Sequence, residues 1–181
     1  MKPRLELKPS AYVMHFAKDL IECAADFPIA DIGCGSGRNA FFILQLGHRV
    51  LCIDKDVSLL RTEELHPGMR KNLQILSLDV LKEAWPFAPA SLGGVILVDF
   101  LPWALLPIFA ESLIPNGRLL LETVSGRGGN FRELPKAGQV KAIFKTRLVI
   151  DDYREKLVGP AGNGAVTVKM IGRRLSAASA T

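Results

Sequence analysis

Cysteine and histidine are both scarce, with three of each among 181 residues. Cys23, Cys34 and Cys52 show no Cys-x-x-Cys spacing and their number is odd, which argues against a disulfide framework. His15, His48 and His66 do not pair with cysteines at ligand spacing, so no structural zinc site is expected. Aromatic residues make up only 7% of the chain and are not interleaved with the basic residues; a stacking surface for nucleic acid is therefore not favoured. No apolar run reaches the roughly 18–20 residues that a membrane span needs. The first residues, "MKPRLELKPS", lack the apolar segment of a secretion signal. The expectation is a cytoplasmic protein without membrane contact.

The chain is 49% hydrophobic and 23% charged, which describes an ordered globular protein with one real core. Its net charge of +5 is unevenly placed: residues 117–181 hold 12 Lys/Arg against 5 Asp/Glu, whereas residues 1–116 hold 11 against 13. The basic final third suits either an anionic small substrate or a phosphate backbone, or is simply a solvated surface.

Apolar and helical segments alternate from residue 28 to 125. The strands read as "PIADIG" (28–33), "HRVLCID" (48–54), "LQILSLD" (73–79), "GGVILVDF" (93–100) and "RLLLETV" (118–124). The helices between them read as "SGRNAFFILQLG" (36–47), "VSLLRTEEL" (57–65, stopped by "HPG") and "PWALLPIFAESL" (102–113, kinked or restarted at Pro107). "VLKEAWPFAPASL" holds two prolines and only a short helix, and "PNG" is a turn. Repeated strand–helix–strand order predicts a parallel sheet covered by helices on both faces. Beyond residue 125 the pattern changes: a "GRGGN" loop, a broken helix over 133–144, and two strands over 147–158 and 165–174 joined by "GPAGNG". That short joint predicts an antiparallel hairpin. No internal repeat or linker divides the chain.

The stretch "DIGCGSGRNA" carries the chemistry. Gly33 and Gly35 begin a G-x-G-x-x-G fingerprint, but Gly37 comes one residue early and Arg38 stands where a dinucleotide loop has its third glycine. That argues against NAD. Asp31, ahead of the loop, would repel a pyrophosphate and suits an ammonium group. S-adenosylmethionine (SAM) has no phosphate and carries an ammonium, a sulfonium and a small carboxylate. The amides that open the helix after Gly37 suit that carboxylate. Asp54 ends the second strand, 21 residues after Gly33, where an acid binds ribose hydroxyls. Asp79 ends the third strand. It is placed either to accept from an adenine amino group, with the Val80 amide donating to the ring, or to cap the following turn.

With these acids in register the sequence resembles the class I SAM-dependent methyltransferases. The residues that carry the resemblance are "DIGCGSGRNA", "VLCIDKD", "LSLDV" and "VDFLPWALLPIFAESLIPNGRLLLETV". The resemblance implies a Rossmann-like α/β fold: a seven-stranded sheet of order 3-2-1-4-5-7-6, strand seven antiparallel, sandwiched by helices. It implies one domain, with residues 1–27 an N-terminal helical segment, 28–125 the SAM-binding core, and 126–181 a substrate-side helix and hairpin. It implies cofactor contacts at Asp31, Ile32, Gly33, Cys34, Gly35, Ser36, Gly37, Arg38, Asn39, Asp54, Lys55, Asp79, Val80, Val98 and Asp99. A looser likeness, on "GCGSGRNA", "LGHRV" and "NFRELPKAGQVKAIFKTRLVIDDYRE", is to small bacterial methyltransferases of the tellurite-resistance type. Where families that methylate amino nitrogens carry Asn/Asp-Pro-Pro-aromatic, this chain reads "VDFLPW", which argues against that chemistry.

No dedicated acid–base pair is legible. By analogy, Tyr12, His15, Arg127 and Arg132 are the candidates nearest an acceptor, since the N-terminal segment and the loop after strand five overhang it in such folds. Trp85 and Phe87 either line the adenine side or pack beneath a helix, and Trp103 is core or pocket wall. Cys34 is expected to offer its backbone rather than a nucleophile. The reading is a methyltransferase acting on a small-molecule acceptor, anionic or soft. RNA or protein methylation and a silent SAM-binding regulator are the alternatives, and monomer and homodimer both remain open.

Overall fold

The computed structural model describes residues 8–123, 134–159 and 164–175; the expected "GRGGN" loop, with Arg127 and Arg132, lies outside them. Ser10 starts helix α1 (Ala11–Ala24) by accepting the Tyr12 and Val13 amides on its hydroxyl, which satisfies two of the four N–H groups a helix end leaves open. Val13, Ala17, Leu20 and Ala24 recur at helical spacing and are all buried. That stripe fixes which face of α1 meets the sheet.

Five parallel strands follow: β1 (Ile29–Ile32), β2 (Val50–Asp54), β3 (Leu73–Ser77), β4 (Leu92–Val98) and β5 (Leu113–Glu122). Between them lie α2 (Arg38–Gln45), α3 (Pro67–Arg70) and α4 (Leu106–Ser112), and α5 (Gln139–Phe144) precedes the hairpin of β6 (Leu148–Leu157) and β7 (Val166–Arg174). The sheet order is β3-β2-β1-β4-β5-β7-β6, with β7 antiparallel to both neighbours, as expected. β1 and β4 are buried at every position, which explains their unbroken apolar runs. Alternate residues of β4 serve opposite cores. Val95 and Leu97 pack with α4 and α5, and Ile96 and Val98 with α1 and α2.

Several boundaries differ from expectation. Residues 57–65 form two single 3₁₀ turns, Val57–Leu59 and Thr62–Glu64, because Leu60 is extended between them. "HPG" opens α3 instead of stopping a helix: the His66 ring accepts the Gly68 N–H, and Pro67 occupies the first turn, where its missing N–H costs nothing. Residues 80–91 contain no helix. Pro107 restarts the chain, with a 3₁₀ turn over Trp103–Leu105 before α4. The "PNG" turn is a bulge inside β5, with Asn116 at φ 65 and the pairing to β4 shifting between Leu92 and Gly94. Only the second half of the expected helix over 133–144 forms, as α5.

The chain turns one way from β1 to β2 and the other way from β3 to β4. The carboxyl ends of β1 and β4 therefore face a shared crevice, the topological switch point of an open α/β sheet.

Candidate functional site at the carboxyl edge of the sheet

That crevice is a cavity of about 380 Å³. Its floor is the glycine loop after β1, its sides the ends of β2 and β4, and its rim residues 78–81 after β3. Of the residues expected from sequence, Gly33, Cys34, Gly35, Ser36, Arg38, Asn39, Asp54, Lys55, Asp79, Val80, Val98 and Asp99 line it. Ile53, Leu78, Leu81 and Phe100 line it as well and were not singled out from sequence. Each lies one or two positions from an expected residue, so the signal was present in the strand ends.

Asp31, Ile32 and Gly37 do not line the cavity, and each absence has a physical reason. Ile32 faces the core, fully buried. Gly37 caps α2 in a left-handed conformation at φ 80, and a Cβ there would sit 2.7 Å from Leu60; it is a packing glycine. Asp31 lies inside β1, 2% exposed, and its Oδ2 accepts the Ala40 amide at 3.0 Å. The charge expected to face a cofactor thus caps α2 from below. Burial pushes this carboxyl up to about 7, opposed by the Ala40 hydrogen bond and by Arg38. The expectation of free amides at the start of α2 is corrected to the same extent, because Ala40 spends its N–H on Asp31.

The cavity's own carboxylates are Asp54, Asp79 and Asp99. Asp54 ends β2, where Oδ2 accepts the Gly35 N–H at 2.8 Å and Oδ1 accepts the Asp56 N–H at 3.0 Å. Each oxygen keeps a second lone pair for a ligand hydroxyl. Of the two roles left open by sequence, the structure shows the cap: Asp79 accepts the Leu81 amide at 3.1 Å, with Lys82 at 3.3 Å from its other oxygen, and the same residue lines the cavity. Asp99 follows β4 in the left-handed region at φ 59, which Asp tolerates better than most residues with a Cβ, and its Oδ2 meets Arg38 Nη2 at 3.3 Å.

The remaining candidates divide. Trp85 donates its indole N–H to Ser112 Oγ at 2.8 Å and packs on Phe109, with Phe87 beside it; both pack beneath α4 and neither lines the cavity. Trp103 packs against the same core. Cys34 lines the cavity but is a buried thiol, and its hydrogen bond with Cys52, together with burial, pushes the Cys52 thiol up.

Tyr12 and His15 line a second cavity of about 450 Å³, with Arg154, Lys156, Thr167 and Lys169. The Tyr12 hydroxyl donates to Asp152 Oδ2 at 2.9 Å. Burial and that bond push it far above the ordinary tyrosine value, so it is held protonated and is no general base. The two cavities are bonded together. The Ser10 N–H donates to Asn39 Oδ1 at 2.9 Å, the Ser10 hydroxyl donates to Glu122, and Glu122 meets Lys169 Nζ at 2.7 Å.

The lining tests well against SAM. The loop presents Gly35 at φ 52, where a Cβ would meet no protein atom within 4 Å, so its missing side chain leaves open space beside the cavity. Three carboxylates surround a space with two cations, Arg38 and Lys55, the first paired to Asp99. A cationic nucleoside fits this balance better than a diphosphate does.

Comparison with known proteins agrees. Residues 30–121, just over half of the chain, match the family described as "Methyltransferase domain". A ribosomal protein L11 methyltransferase of Thermus thermophilus is 32% identical over 126 residues, covering 61% of this chain and 48% of that protein; the chain thus spans about half the length of this curated relative. Among solved structures, a geranyl diphosphate methyltransferase in complex with SAM superposes with TM-score 0.66 at 14% identity, covering 89% of this chain and 85% of that one. A SAM-dependent methyltransferase from Methanosarcina mazei does so with TM-score 0.60 at 18% identity, covering 93% and 99%. At such identities these two likenesses show the fold. With over half its length inside the family match and the expected class I sheet order around it, the chain belongs to the methyltransferase domain family.

Proposed function

We propose that the chain transfers the methyl group of SAM to a small-molecule acceptor held at the same sheet edge. The observation that carries this reading is the second cavity, joined to the first through Asn39, Ser10 and Glu122. A pocket of about 450 Å³ has the size of a small-molecule site. In this reading Asp54 holds the ribose hydroxyls, Asp79 and Val80 meet the adenine edge, and the loop from Gly33 to Asn39 holds the methionine part. Of the described residues, 28–123 form the cofactor half of a single domain, and 8–27, 134–159 and 164–175 stand on the acceptor side.

SAM supplies an already activated methyl group, so the protein's work is placement. Orientation of this kind contributes on the order of 7–11 kcal/mol to such displacements. Tyr12, held protonated by Asp152, is no general base, which leaves His15 as the candidate base beside that cavity. An acceptor that is already nucleophilic, a thiolate or a soft or metalloid anion, needs no base.

A protein acceptor is the second reading, favoured by the likeness to the L11 methyltransferase. Calorimetric titration with SAM, S-adenosylhomocysteine and NADH tests the cofactor; the first two bind and NADH does not. A methyl-release screen over thiols, selenite, tellurite, small amines, RNA and ribosomal protein L11 tests the acceptor. Turnover with a small anion or thiol supports the first reading. Turnover with L11 alone moves the assignment to the second, turnover with RNA alone makes it an RNA methyltransferase, and SAM binding without any turnover makes the chain a regulator.

A further inference from the structure

The second cavity has a chemical character that the transfer reading does not require. β6 and β7 pair antiparallel with Arg154 opposite Lys169 and Lys156 opposite Thr167, and all four residues line the cavity together with Tyr12 and His15. Like charges directly across a ladder destabilise it, yet this sheet end sets Arg154 against Lys169, with Lys156 one step along the same face. The local acids cover only part of that charge. Asp152 meets Arg154 Nε at 3.1 Å and Glu122 meets Lys169 at 2.7 Å. Among the described residues, Lys156 has no carboxylate partner. Glu155 also lines the cavity, but its Oε1 is engaged by the Gly138 N–H at 2.8 Å and by the Tyr153 hydroxyl. Arg154 retains further N–H donors beyond the Nε that meets Asp152, and its side chain is 64% exposed, so that ion pair contributes little and yields readily to a ligand.

We propose that this cavity is an oxyanion site that takes the phosphate group of a small acceptor, held by Arg154, Lys156 and Lys169, with Thr167 and His15 supplying polar contacts. The proposal rests on the methyltransferase reading and names the substrate class for it. The planar guanidinium of Arg154 matches a phosphate fork and the two lysines add point charge. Lys169 also fixes how the site meets the cofactor cavity. Its ammonium binds Glu122, which receives the Ser10 hydroxyl, and Ser10 in turn holds Asn39 in the first cavity. A phosphate bound here leaves the rest of the acceptor free to extend along the sheet edge toward the loop of Gly33 to Asn39. The basic bias of the final third of the sequence thereby gains a location.

Inorganic pyrophosphate is the probe, titrated at low salt into the full-length ¹⁵N-labelled protein without SAM. The amides of His15, Arg154 and Thr167 shift, and those of Gly35 and Asp54 do not. Calorimetry of Lys156→Glu shows a dissociation constant raised about tenfold or more, whereas Lys71→Glu, an equal charge change at the amino end of β3, stays within about twofold. Shifts confined to the glycine loop, or equal affinity in both variants, overturn the proposal. So does a short single-stranded RNA that binds through Lys156 more tightly than pyrophosphate, which assigns the surface to nucleic acid. SAM affinity is measured on the same samples. Loss of SAM binding with pyrophosphate binding intact sinks the methyltransferase reading and leaves the oxyanion site standing, and the reverse result sinks only the oxyanion site.

Discussion

The Asp54 carboxylate accepts the Gly35 N–H at 2.8 Å, so the acid that ends β2 and the glycine loop that follows β1 are one unit. Asp54 therefore shapes the loop and presents lone pairs to a ligand at once. Asp54→Ala is expected to keep the fold and raise the SAM dissociation constant about 10–100-fold, since hydrogen bonds to a charged group contribute about 1.5–3 kcal/mol each. Asp54→Asn, which keeps one acceptor oxygen, should lie between Ala and the parent. Calorimetry reads both, and unchanged affinity in Asp54→Ala removes it from the ribose role.

Two glycines of the loop separate cofactor space from packing. A Cβ at Gly35 meets no protein atom within 4 Å, whereas one at Gly37 sits 2.7 Å from Leu60 and 2.9 Å from Phe41. Both hold positive φ, which costs a residue with a Cβ about 1–2 kcal/mol. Gly35→Ala is expected to lose roughly that stability and to weaken SAM at least about tenfold. Gly37→Ala adds overpacking and loses about 2–4 kcal/mol. Urea unfolding and SAM titration of the pair check the contrast; similar stability losses in both would contradict it.

Much of this was legible in the sequence, because a parallel strand announces itself by an unbroken apolar run and its carboxyl end by the first polar residue after it. Asp54 and Asp99 each follow such a run, Asp79 ends a strand segment interrupted by Gln74 and Ser77, and all three line the cavity. Asp31 follows the same rule one residue too soon. It lies within β1, paired with Cys52 and Ile96, and its partner, Ala40, is met only after the loop has closed. Gly37 lies outside the cavity lining for a similar reason, since Leu60 reaches it from a turn that no local pattern reveals. The second cavity was visible only in fragments. Tyr12 and His15 stood out at one end of the chain and a basic bias at the other, and only the pairing of β6 with β7 brings them together.

The buried Asp31 makes a pH prediction. Its folded value of about 7 lies above the unfolded value of about 3.9, so the folded state holds the proton longer. The protonated form favours folding below the unfolded value, and that stability is lost as pH rises from about 4 to about 7, then stays constant. Asp31→Asn keeps an oxygen for the Ala40 amide without the charge. Its unfolding midpoint in urea, without SAM, should gain on the parent protein across that window and run parallel above it. Equal slopes in both proteins would show that Asp31 ionises normally.

Ser10 joins three elements. Its hydroxyl accepts the Tyr12 and Val13 amides that begin α1 and donates to Glu122 at the end of β5, and its own N–H holds Asn39 of α2. Ser10 is 8% exposed and Glu122 5%, so loss of the hydroxyl removes a helix cap and strips a buried carboxylate of a donor. Ser10→Ala should cost about 1–3 kcal/mol in urea unfolding. Glu122→Gln alone disturbs the ion pair with Lys169. If the hydroxyl and the carboxylate act through each other, the double variant is less destabilised than the sum of the singles, with a coupling of about 0.5–3 kcal/mol. Strict additivity would mean that Ser10 serves only as the cap of α1, and that the bonded path from Asn39 through Ser10 and Glu122 to Lys169 carries no energy between the two cavities.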